Sequence, residues 1–153
     1  MKGFISYAHE DGVMFREVFK HLTPIARRYG IAFWTDAKLH TGEYWNDAIA
    51  KAISEADVFV ALVSYESLFS TYIATTELPA MRARAAATGA LILPVLLNRC
   101  LWGYEFSAPQ VAPVHDGRLL PIADWHPQRN GYHAASVQIA EAIQHYYAKA
   151  SAP

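Results

Sequence analysis

The chain is nearly without cysteine: Cys100 is the single one among 153 residues. An internal disulfide is therefore excluded, and with it the disulfide-stapled secreted class; cytoplasmic residence is the expectation. A charge surplus is missing too. The 13 Lys and Arg stand against 14 Asp and Glu, for a net charge of −1. That balance gives no electrostatic case for nucleic acid or an anionic membrane as partner, and the small basic cluster of Arg82 and Arg84 does not alter it. Long apolar runs are absent. The longest, Ala90 to Leu97, falls far short of a membrane span, and the apolar part of the opening MKGFISYAHED is too short for a secretory signal. The 7 histidines are scattered, with no pair at zincin spacing, so no metal site and no bound cofactor is expected. There is no internal repeat and no low-complexity tract.

What is present is a core-forming composition, 53% hydrophobic and 18% charged, in a chain long enough for one domain. Gly3 to Tyr7 reads as a short buried strand. A helix capped by Asp11 and reaching Tyr29 follows, with Met14, Phe15, Val18, Phe19, Leu22, Ile25 and Ala26 at helical spacing. Pro24 sits inside that pattern, where it is expected to kink or loosen the helix. Ile31 to Thr35 is a second strand, 36–42 a polar loop, and Glu43 to Glu55 a helix bearing Trp45. The wholly apolar VFVALV within Asp57 to Ser64 is a third strand, apolar on both faces and therefore central. Ser70 to Thr88 reads mostly as helix, crossed early by Pro79, and ALILPVLL as a fourth strand. The stretch from Asn98 to His133 is irregular, with LLPIAD as a short fifth strand, and Ala134 to Ala150 closes the chain as a helix. Strands alternating with helices predict a flavodoxin-like three-layer α/β sandwich, with a mainly parallel five-stranded sheet and helices on both faces. The expected division is a domain over 1–148 and a tail or start of a linker over 149–153.

Ligands of open α/β sheets bind outside the carboxyl ends of the strands. One ordered series leads there: WTDAKLHTGEYWNDAI, then ADVFVALVSYESLFSTYIATTELPA. It carries a polar loop with Gly42, a helix with Trp45, a strand stopping at Ser64, and one carboxylate, Glu77, an element further on. A lone acid at such an edge can stabilise positive charge that develops during a reaction; taken without its context, it is more often a solvated helix residue.

These segments resemble the Toll/interleukin-1 receptor (TIR) domain family in its bacterial form. GFISYAHED is similar to the family's first box, a strand ending in Ser-Tyr. WTDAKLHTGEYWNDAI is similar to the second box, with its aspartate, loop glycine and helix tryptophan. ADVFVALVSYESLFSTYIATTELPA is similar to the third strand, its terminal serine and the helix of the catalytic glutamate, and NRCLW and ADWHP fall where bacterial members have similar residues. The resemblance covers nearly the whole chain. It implies cleavage of NAD⁺ between nicotinamide and ribose, giving nicotinamide with ADP-ribose or a cyclised relative, often in antiphage immunity; other members only scaffold signalling complexes.

Under that resemblance Glu77 is the expected catalytic residue. A fixed anion beside the ribose stabilises the oxocarbenium-like charge left when nicotinamide departs. Ser6 and Tyr7, at the first strand end, are candidate substrate contacts. Ser64 either binds a ribose hydroxyl or caps the following helix. Trp34 and Tyr65 either stack on a base or pack internally. Asp36 and Gly42 are carried over as pocket-flanking residues, and the 36–42 loop as a self-association surface, Gly42 supplying a positive φ. Trp45 contributes to the pocket or fills the core. Several bacterial enzymes of the family place a tryptophan four residues before the glutamate; that position is Ile73 here. Tyr72, the adjacent candidate, points about 100° away on an ideal helix. Cys100 and Trp102 read as plain burial. The expected partners are NAD⁺ as substrate, further copies of the chain, and a fused or separately encoded sensor or effector. Three other readings compete: a non-catalytic scaffold, a nucleoside deoxyribosyltransferase, and a response-regulator receiver. The last needs an aspartate at the end of strand three, where Ser64 stands.

Overall fold

A computed structural model describes residues 1–35 and 45–152, and of Trp45 the backbone alone. The predicted site residues Asp36 and Gly42, the 36–42 loop and the side chain of Trp45 lie outside the described residues. Four strands, β1 (Lys2–Ser6), β2 (Ala32–Trp34), β3 (Val58–Val63) and β4 (Leu91–Leu96), form one sheet in the order β2-β1-β3-β4. Every pairing in it is parallel, with Gly3 opposite Phe33, Ile5 opposite Val60, and Val60 opposite Leu93.

The helices cover both faces, as the alternating pattern predicts. Helices α1 (Gly12–Tyr29) and α5 (Gln128–Ala150) pack on one face, where Phe15, Val18, Leu22, Ile139 and Ile143 meet Ile5, Val58, Val60 and Leu62. Helices α2 (Trp45–Glu55) and α4 (Leu78–Thr88) pack on the other, where Ile49, Ile53, Leu78 and Met81 meet Phe4, Phe59 and Ala61. The side chains of β3 thus alternate between two cores and are buried throughout, which is why that strand is apolar at every position. Gly3 is fixed by close packing: a Cβ there would lie 2.4 Å from the Phe33 ring, inside contact distance, so β1 and β2 pair this closely only without one. Among the described residues no helix is long and apolar enough to cross a membrane.

The sheet has four strands where the sequence led to five. LLPIAD does not join it. Leu119 belongs to an antiparallel hairpin of β5 (Val114–His115) and β6 (Arg118–Leu119), and Ile122–Asp124 forms a single 3₁₀ turn. The fifth position is touched by one bridge between Val95 and Ala112. There Leu96 N–H donates to the Ala112 carbonyl at 2.7 Å, and Ala112 N–H to the Pro94 carbonyl at 3.0 Å. The ladder stops because Pro113 follows and Val114 N–H is taken by the Gln138 side chain at 2.7 Å. Pro94 is tolerated because its nitrogen faces this outer edge, while Leu91 and Leu97 donate inward to Asp57 and Val63.

Two further expectations are corrected. Pro24 lies in a continuous α1, on its exposed side, where water can take the carbonyl that its missing N–H leaves. The helix expected over 70–88 is present from 71 to 88, with a π-helical turn (Ile73–Glu77) leading into α4, and a separate short helix, α3 (Tyr65–Phe69), precedes it. Pro79 falls at the start of α4, directly after the π-helical turn. Helix α5 begins at Gln128, before the expected Ala134, and ends at Ala150 as expected.

Candidate active site

The chain leaves β1 toward β2 on one side, while β3 and β4 lie on the other. The crevice beyond the carboxyl ends of β1 and β3 is therefore the switch point of the sheet, the position where open α/β sheets take ligands. A cleft of about 500 Å³ opens there. One lip is the segment after β1, from Tyr7 to Glu10; the other follows β3 and includes Glu66, Phe69, Tyr72 and Glu77. By contrast, the two clefts along α1, of about 440 and 500 Å³, have no Asp or Glu in their described linings.

Glu77 is buried, 7% exposed, and still lines this cleft. It ends the π-helical turn, in which Leu78 N–H reaches back to the Ile73 carbonyl. The winding matters. On a regular α-helix, residues five apart stand roughly 140° from each other. The wider i→i−5 turn closes much of that angle, so Tyr72, Ile73 and Glu77 all line one cleft. Burial, and after it the charge of Glu77, raise the Tyr72 phenol above its ordinary value. Tyr72 thus stays a neutral phenol beside a carboxylate. Glu10 and Glu66 add two more acids, with His9 beside them, and no Lys or Arg occurs among the described lining residues. This arrangement favours a cation or a centre developing positive charge.

Ser64 resolves toward its structural role. It is the N-cap of α3, and its hydroxyl accepts Ser67 N–H at 2.9 Å while Ser67 Oγ accepts Ser64 N–H at 2.8 Å. The hydroxyl proton goes to the Asp11 carboxylate. Asp11 itself makes no side-chain cap for α1; the carboxylate is buried and turned across to Ser64. Burial first, opposed by the Ser64 bond and helped by Glu66 and Glu10, raises its pKa.

The structure places the remaining candidates as follows. Tyr7 lines the cleft and stacks on Phe15 at 4.0 Å between ring centres. Ser6 is buried at the end of β1. Trp34 stacks on Phe4 at 5.5 Å, packed in the core beneath α2. Tyr65 is exposed, stacks on Phe69, and is not among the cleft's lining residues. Glu77, Tyr72 and Tyr7 are thus brought together; Trp34, Tyr65 and Ser64 are engaged elsewhere. Cys100 and Trp102 pack against Val63, Leu96 and Val111, and burial holds the Cys100 thiol above its ordinary pKa, in its protonated form. Reading the sequence missed His9, Glu10, Glu66 and Phe69. The available signal was position alone: each follows a strand that ends at the switch point.

A doubly covered parallel sheet with a carboxylate-lined cleft at its switch point defines an α/β domain of the flavodoxin-like class. The chain matches the family model described as TIR domain over residues 4–137, and it belongs to that family. It is also similar to a protein of Sinorhizobium fredii (strain NBRC 101917 / NGR234) carrying the name uncharacterized protein y4lF. The two are 27% identical over 150 residues, which cover 98% of this chain and 46% of that one. The chain thus spans about half the length of this curated relative.

Proposed function

We propose that the chain is an NAD⁺ glycohydrolase acting in bacterial immune signalling in the cytoplasm, with Glu77 as its catalytic residue. One observation carries this reading: a buried carboxylate faces a cleft of about 500 Å³ at the switch point of the sheet. In the reaction the bond between the ribose C1′ and the nicotinamide nitrogen breaks. Its electron pair goes to the nitrogen, which neutralises the pyridinium, so the leaving group needs no acid. Positive charge is left on the ribosyl ring, where Glu77 stabilises it and accepts a hydrogen bond from a ribose hydroxyl. Water then adds to C1′ and loses a proton, giving ADP-ribose; capture by the adenine end gives a cyclic relative instead. The acid-rich lining suits the nicotinamide riboside end of the dinucleotide, with the diphosphate directed away from Glu77.

The test is incubation of concentrated protein with NAD⁺, with and without induced oligomers, and quantification of nicotinamide and its partner product by mass spectrometry. Nicotinamide release from the wild type, falling at least about 100-fold in Glu77→Ala, is the expected result. Intact NAD⁺ under assembled conditions, or equal rates in the variant, would count decisively against the reading.

A self-associating scaffold is the second reading, and exposed apolar residues favour it. Phe69 is 79% exposed and Tyr104 88% exposed. In this reading the 36–42 loop and such surfaces join copies of the chain, and a fused or separate sensor triggers assembly. Assembly without NAD⁺ loss would select it.

A further inference from the structure

The Asp11 carboxylate has no role in the reaction just described, yet it is 7% exposed and forms no ion pair among the described residues. Burying a carboxylate without a cation is costly, and the raised pKa of Asp11 reflects that cost. What the position holds in return is the Ser64 hydroxyl, 53 residues away in the chain. An ionised carboxylate is acceptor-only. Bonded to it, Ser64 must point its proton at Asp11 and its lone pairs at the helix, where Ser67 N–H donates at 2.9 Å.

The two ends of this bond belong to the two lips of the cleft. Asp11 ends the turn His9–Asp11, with its N–H on the Ala8 carbonyl at 2.9 Å, and this turn carries His9 and Glu10. Ser64 starts α3, which carries Glu66 and Phe69. From there the Ser70 hydroxyl accepts Ile73 N–H at 3.3 Å, and Ala74 N–H donates to the Ser70 carbonyl at 3.0 Å, leading into the turn that ends at Glu77. On the other flank Asn98 holds the start of α3, accepting Tyr65 N–H at 2.9 Å and donating to Glu66 at 3.3 Å. A five-residue helix has little stability of its own, so its direction is set by these ties.

We propose that Asp11 is a positioning residue for the cleft: its buried carboxylate sets the Ser64 hydroxyl as the cap of α3 and thereby fixes the Glu77-bearing lip against the lip that follows β1. The kinetic arm of the test rests on the NAD⁺ reading; the exchange arm does not. Hydrogen exchange of the full chain is compared for wild type, Asp11→Ala, Asp11→Asn and Ser64→Ala. Peptides covering 64–74 are expected to exchange about tenfold faster in Asp11→Ala and Ser64→Ala, with α1 and α5 unchanged. Asn keeps an acceptor oxygen and restores most of the protection. In NAD⁺ turnover, kcat is expected to fall about tenfold in the Ala variants with KM within about twofold, and the double variant to be no worse than the poorer single. If Asp11→Ala does not accumulate as folded protein, Ser64→Ala removes the same bond from the other end. Unchanged exchange at 64–74 in a folded Ala variant would overturn the proposal, as would a double variant whose kcat loss equals the product of the singles. A wild type that leaves NAD⁺ intact while the exchange pattern holds would remove the reaction and leave the positioning role standing.

Discussion

Two buried acids, Asp11 and Glu77, differ in what burial does for them. Glu77 lines the cleft, so its charge acts on whatever enters. Asp11 faces Ser64, and its charge acts only on the protein. The second arrangement has a signature in the pH dependence of stability. Burial raises the folded-state pKa of Asp11 above the ordinary aspartate value. Between those two values the folded chain holds a proton that the unfolded chain has released, so stability falls as pH rises through this window. The contribution is complete below the ordinary value and lost above the raised one. Urea denaturation midpoints of wild type and Asp11→Asn, measured from about pH 3 to pH 7, check the sign. The wild type is expected to lose ground steadily against Asp11→Asn as pH increases. A gap that is constant, or that moves the other way, contradicts the burial argument.

At the scale of elements, the π-helical turn is the feature with the sharpest consequence. It takes one extra residue into what is otherwise a helical path, and its wider winding lets Tyr72 and Glu77, five apart, share the cleft. Deleting Thr76, which is exposed, should let Ile73 to Leu78 relax to α-helical winding. Tyr72 and Glu77 then stand four residues apart, about 40° around an α-helix, and still share one face. The expected outcome is a folded protein, by circular dichroism and a cooperative thermal transition, with NAD⁺ turnover retained. Lost turnover would show that the site depends on the wider winding itself and not only on the face that Tyr72 and Glu77 share. No sequence pattern announces such a turn, because apolar spacing over five residues fits either winding, and Ile73 and Leu78 are buried in both. The strands were more legible. VFVALV reads as central because only a doubly covered strand is apolar at every position, and Phe15, Val18, Leu22 and Ile25 mark α1 by spacing alone. The absent fifth strand was illegible for a related reason. Whether LLPIAD pairs depends on whether β4's outer edge is still open, and there Leu96 N–H is already taken by the Ala112 carbonyl, which the apolar run itself does not reveal. The link of Asp11 to Ser64 was hidden likewise, since a helix-capping reading accounts for each residue separately.

For the whole molecule, the openness of the cleft is the outstanding physical problem. Stabilising a ribosyl cation with a carboxylate is most effective where water is excluded, since low dielectric strengthens the interaction. Yet Phe69, on one lip, is 79% exposed, and Tyr65 stacked against it is 64% exposed. A single copy leaves that lip in solvent. A second chain lying across it would cover the exposed aromatic pair and dry the cleft in one step, joining the two functional readings into a single mechanism. Turnover per molecule should then rise with protein concentration instead of staying constant. Phe69→Asp should remove that rise and lower assembly measured in parallel by sedimentation velocity. As a surface substitution it should leave the urea midpoint nearly unchanged, within about 0.5 kcal/mol of stability. If turnover per molecule is flat across concentration, or if Phe69→Asp stays monomeric at undiminished rate, the cleft works alone, and the exposed aromatics serve another contact.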